Sequence, residues 1–296
     1  MSIISSAKRS NLSTGSSREK SRRSVRFHLN YNLQTVLADF ENQKEQLRYK
    51  ELVCNIRDAG LEIRDDDLLQ ILTEARGCIN ILEQSHYLLV QVLLMVKWAH
   101  RSAEIAKAYH EFVLDLCSAH NYHTKFAIEQ LVSNFKPVGE HKEWEKGQPC
   151  EEEEVCYKRV HAVLKGLLQV IPMSIEMLVS SVTSNFPYTR SKNSSDNVAY
   201  ISNVLRILDY KPELRLHFLT LIIKKLLALD VNAPRSELEV AESEDAEMFS
   251  MEEPSHPVAD SLDLSMELMF RFVYSQCHNN GVLCWQRTKS MYRDMK

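Results

Sequence analysis

The chain is predicted to be all-α, an array of stacked helical hairpins of the HEAT-like α-solenoid type. Three features carry that prediction. Apolar residues recur every three or four positions in one segment after another, prolines interrupt the period at segment boundaries, and the 296 residues include only 7 glycines. The pattern is clearest from Val198 to Arg235. There Val198, Ile201, Leu205 and Leu208 make one stripe, Tyr210-Lys211-Pro212 interrupts it, and Leu219, Ile222, Ile223, Leu226 and Leu229 resume it. Proline suits the first turn of a helix and not its interior, so this stretch reads as two helices folded back on each other. With Leu221 and Leu227 added, the second stripe covers most of the helix circumference, so that helix is expected to be sandwiched between neighbours.

The remaining elements follow in order. Residues 1–27 are serine-rich and basic, with Lys8, Arg9, Arg18, Lys20, Arg22, Arg23 and Arg26 against Glu19. So little apolar surface cannot offset chain entropy, and the segment is expected to be a disordered tail, with the array occupying 28–296. Lys20, Arg22 and Arg23 fit either a nuclear import signal or an ordinary solvated basic tail. Sparse apolar residues from Tyr31 to Asn55 suggest one outer helix that caps the stack. Asp65, Asp66 and Asp67 precede Leu68, Leu69, Ile71 and Leu72, which places a helix start there and its end near Arg76.

Ile79 to Trp98 reads as one or two buried helices, and Arg101-Ser102 as a break with an N-cap. Ile105, Tyr109, Phe112, Val113 and Leu116 then form one stripe, and Ile128, Leu131, Val132 and Phe135 another, stopped by Pro137. Residues 138–154, with Glu151 to Glu154 and two glycines, read as a flexible acidic loop. The period returns from Val160 to Ile171, breaks at Pro172, and resumes as a short helix from Ser174 to Ser184. A polar linker, Tyr188 to Asp196, leads into the central hairpin. Residues 236–255 form a second acidic insert. His256-Pro257 then opens a helix with Val258, Leu262, Met266, Met269 and Val273 in phase, Asn279-Asn280-Gly281 turns the chain, and Ser290 to Lys296 begins another element.

Composition narrows the function. Phosphate-cradling loops and nucleophile elbows need glycines that are scarce here, and no nucleophile–base pair or cofactor loop stands out. The expectation is therefore a protein without catalytic residues or cofactor. Cys117, His120 and His123 have a C-x2-H-x2-H spacing, but no fourth ligand lies at a characteristic distance and Cys117 adjoins a core stripe, so no metal is assigned. The 7 cysteines include no CxxC pair, and no apolar h-region opens the chain, as in reduced intracellular proteins. No apolar run approaches the ~18 residues needed to span a bilayer. At a net charge of −4, with no basic stripe outside the tail, direct DNA binding is not expected.

Several separated blocks carry a family resemblance: Ser24 to Phe27 (SVRF), Ser184 to Arg190 (SNFPYTR), Leu221 to Arg235 (LIIKKLLALDVNAPR), His256 to Leu268 (HPVADSLDLSMEL) and Thr288 to Asp294 (TKSMYRD). Their order and spacing resemble the RNA polymerase I-specific transcription initiation factor family, called TIF-IA in animals. The resemblance implies a nuclear and nucleolar HEAT-repeat adaptor that binds RNA polymerase I. It also implies that, with a promoter selectivity factor, such a protein brings the polymerase to ribosomal RNA gene promoters. The resemblance further implies that serine phosphorylation on the polymerase-contact surface regulates that binding. Carried onto this chain, the serine blocks are IPMSIEML and YISNVLRI, which make Ser174 and Ser202 the candidates. Ser174 also fits a helix N-cap, and Ser202 an ordinary helix-surface serine. The chain is about half the family's length, and the later repeats are the ones associated with the promoter factor. Homodimerisation is left open, and a general helical scaffold for nuclear transport or protein assembly is the alternative reading.

Overall fold

The computed structural model describes residues 32–60, 63–137, 149–187, 194–231 and 257–279. The expectations for the basic tail with Lys20, Arg22 and Arg23, for the acidic insert 236–255 and for the segment after Asn279 lie outside the described residues. Among the described residues are eleven α-helices and no strand. They are α1 (Leu33–Glu41), α2 (Gln46–Ala59), α3 (Asp65–Gly77), α4 (Tyr87–Leu94), α5 (Ala103–Ala119) and α6 (Thr124–Ser133), followed by α7 (Glu151–Val170), α8 (Ile175–Ser184), α9 (Ser194–Tyr210), α10 (Arg215–Val231) and α11 (Pro257–Asn279).

Alternate helices pack side by side in two layers. In one layer α1, α3, α5, α7, α9 and α11 each meet the next of the series; in the other, α2, α4, α6 and α8 do so. Helix α10 closes the last hairpin against α9 and α11. The main apolar core runs between the layers from Leu33 to Leu229, and a small second cluster of Tyr157, Val198 and Ala199 meets α11.

The repeat lies in the turns. His120, Ile171 and Lys211 follow α5, α7 and α9 with φ between −125 and −136° and ψ between 64 and 80°. Each is followed by a three-residue 3-10 turn whose third residue is buried: His123, Ser174 and Leu214. Ile171 and Lys211 precede prolines, which push the preceding residue out of the helical region. His86 takes the same buried third position before α4. Arginines then tie hairpin to hairpin. Arg101 donates to the Ile63 carbonyl (2.6 Å) and Asp65 (2.7 Å), and Arg159 to the carbonyls of Ala99 (2.8 Å) and Arg101 (2.6 Å).

Several expected elements differ. The single outer helix is two, because Asn42 caps α1 through its own amide and side chain on the Ala38 carbonyl and Gln43 turns at φ 58°. Phe40 then stacks on Tyr49 at 4.0 Å, closing a hairpin. The Ile79 to Trp98 stretch holds one helix preceded by two 3-10 turns, and Leu88 and Met95 in it are exposed. Glu151 to Glu154 form the first turn of α7 and not a loop, since carboxylates there favour the free N–H groups and positive end of the helix dipole. Ser194 to Asp196 likewise open α9. Among the described residues helix α10 is covered on one side only, by α9 and α11. Ile222, Leu226 and Leu229 are buried, but Leu216, Ile223 and Leu227 face outward.

Helix α7 approaches α5 closely at Gly166, where an added Cβ would lie 3.0 Å from His110 Nε2 and 3.3 Å from Leu114 Cδ1. Gly166→Leu is expected to cost about 1–3 kcal/mol of stability by overpacking, measured by urea denaturation.

Candidate functional site

Helices α9 and α11 run side by side in the same direction. Asn197 donates to Ser261 Oγ (3.3 Å) near their N-terminal ends, and Arg215, just past α9, donates to Gln276 (3.0 Å) near the other end of α11. Small buried residues line this end, Ser195 and Ala199 on α9 and Ser261 and Ser265 on α11. Larger side chains follow, and a groove of about 330 Å³ opens between Ser202, Leu205, Arg206 and Asp209 on one side and Leu268, Arg271, Phe272 and Ser275 on the other.

The opposite face of α9 is fixed by a buried polar network. Asn203 Nδ2 donates to the carbonyls of Ala199 (3.0 Å) and Phe135 (3.2 Å), so its Oδ1 accepts from His161 Nε2 (3.1 Å). His161 Nδ1 then accepts from the Tyr210 hydroxyl (2.9 Å). This tautomer is neutral. Burial pushes the His161 pKa down to about 4, against the opposing pull of the Asn203 hydrogen bond.

The groove's two guanidinium groups are held differently. Arg206 pairs with Glu154 of α7 (2.5 Å) and lies over the Tyr157 ring, 5.8 Å from its centroid. Burial opposes ionisation of Glu154, but its Arg206 hydrogen bond and the Arg206 and Lys158 charges outweigh this and hold its carboxyl below the usual range. Among the described residues Arg271 pairs with Glu267, one turn back on its own helix and half exposed. Such a surface pair contributes roughly 0.3–0.5 kcal/mol, so Arg271 exchanges partners at little cost.

Ser202 is half-buried and lines this groove. Ser174 is fully buried at the recurring turn position, and its hydroxyl donates to the Ile171 carbonyl (2.6 Å), so it neither N-caps α8 nor reaches the surface. The fold therefore separates the two serine candidates. Sequence reasoning missed Arg206 and Arg271, which lie on different hairpins. Of the C-x2-H-x2-H residues, His120 and His123 meet edge to face with ring centroids 6.3 Å apart, and no group of three metal-ligating side chains forms among the described residues. Burial pushes the Cys117 thiol up to about 12, His120 Nε2 meets the Ile79 carbonyl (2.8 Å), and the His123 ring is buried against Tyr122 and Tyr87.

The fold and sequence have recognisable relatives. The crystal structure of RNA polymerase I transcription initiation factor Rrn3 superposes with a TM-score of 0.62 at 22% identity, over 82% of this chain and 46% of that one, a likeness of fold. RNA polymerase I-specific transcription initiation factor RRN3 of Mus musculus is 26% identical over 79% of this chain. The Schizosaccharomyces pombe protein of the same description is 26% identical over 66% of it. The chain spans 40% of the mouse relative's length and 29% of the yeast one's. The model of the family described as RNA polymerase I specific transcription initiation factor RRN3 matches residues 18–269, and the chain belongs to that family.

Proposed function

We propose that this chain is an adaptor of transcription initiation that docks RNA polymerase I and helps bring it to ribosomal RNA gene promoters in the nucleolus. The observation that carries the reading is the family match across residues 18–269, which runs through the entire described array up to the middle of α11. The chain acts by presenting a rigid helical surface and not by catalysis. The α9 face around Ser202 is the polymerase contact, and phosphorylation of Ser202 is its regulatory event. Ser174 is set aside because its hydroxyl is buried. Contacts with the promoter selectivity factor belong to the part of the longer relatives that this chain does not span.

The test is co-elution of the full chain with purified RNA polymerase I, using RNA polymerase II as the control. The chain is expected to travel with the first and not the second, and equal retention by both, or by neither, contradicts the reading. Ser202→Asp puts a fixed negative charge on the contact face and is expected to weaken polymerase binding about tenfold, read by surface-immobilised titration.

A further inference from the structure

Resting on that reading, we infer that the α9–α11 groove seats a segment of the polymerase carrying an apolar side chain beside a carboxylate. The floor is apolar: Leu205 is buried, and Leu268 and Phe272 are partly covered and packed on the core, leaving carbon surface at the base of the groove. The walls carry two guanidinium groups, Arg206 and Arg271, against one carboxylate, Asp209. The Ser275 hydroxyl donates to the Phe272 carbonyl (2.8 Å), so towards the groove it offers acceptor lone pairs. An incoming carboxylate is therefore recognised chiefly at the arginines, with the Ser202 hydroxyl the other donor in the lining.

The two arginines divide the work. Arg206 is fixed by Glu154 and the Tyr157 ring, so it holds a defined position with donors still to spare. Arg271, tied among the described residues to an exposed acid on its own helix, can turn onto a ligand carboxylate. Asp209 lies one turn past Arg206 and repels a carboxylate there, which fixes the direction of the bound segment. The same arrangement gives the regulatory event a physical form. Ser202 is one turn before Arg206 on the same helix face, so a phosphate on Ser202 occupies the cations that the partner's carboxylate needs.

The test uses the full chain and purified RNA polymerase I, with affinities measured at low and high salt. Arg271→Glu is expected to weaken binding about tenfold or more, with an unchanged thermal midpoint because the position is exposed, while Arg271→Lys stays within about threefold. Asp209→Asn is expected to tighten binding about threefold, a gain that misfolding cannot produce. Wild-type affinity is expected to fall as salt rises. Wild-type binding with Arg271→Glu and Asp209→Asn both unchanged overturns the groove assignment and leaves the polymerase reading standing. Absence of wild-type binding overturns both.

Discussion

Asn203→Ala is expected to lower the unfolding free energy by about 3–5 kcal/mol, among the largest effects of a single polar substitution in this chain. The alanine removes the donor to the Phe135 carbonyl and the acceptor for His161 Nε2–H, and both partners are buried. Each orphaned group costs about 1–3 kcal/mol, and the vacated volume adds to that. Urea denaturation measures it as a drop in midpoint at constant slope. A loss below about 1 kcal/mol would mean that the network contributes little to holding α9 against α7.

Acidification is expected to destabilise the fold between about pH 6.5 and pH 4, largely through the same network. The unfolded His161 takes up its proton near pH 6.5 and the folded one only near 4. Across that window the unfolded state binds more protons, so stability falls as pH falls, by about 3 kcal/mol for a shift of this size. Above the window the contribution is constant. The charges acting on the ring are Arg206 of α9, which disfavours protonation, and Glu154 of its own helix α7, which favours it. Burial lowers His86, His100, His110 and His123 as well, so they add in the same direction. His161→Gln keeps a donor and an acceptor but does not titrate. Urea midpoints measured across this pH range are expected to show a shallower slope for that variant than for the wild type.

Much of the array was legible because its boundaries rest on local chemistry. Ser102 accepts from the Ile105 N–H as an N-cap, and Pro172 and Pro212 open the turns where the apolar period breaks. What was not legible depends on contacts far apart in the chain. The α1–α2 hairpin, broken locally at Asn42 and Gln43, is held closed by the stacking of Phe40 with Tyr49 and their packing on the distant His86. The run Glu151 to Glu154 has the composition of a loop, yet Glu154 is drawn into the fold by Arg206, 52 residues later. Ser174 illustrates the limit for function. Its local sequence fits a surface cap, and only the repeated turn geometry puts the residue inside. The α9–α11 groove proposed for docking has no signature in any single segment, because its lining comes from two helices that become neighbours through the stacking.

The central claim is that the last helices of the array form the surface that docks on RNA polymerase I. Hydrogen–deuterium exchange of the full chain, with and without saturating polymerase, tests it most directly. The account predicts slowed exchange across α9 and α11, centred on the turns that carry Ser202, Arg206 and Arg271, with α1 to α4 unchanged. Protection confined to α1 to α4, or no protection while the polymerase is bound, would contradict it.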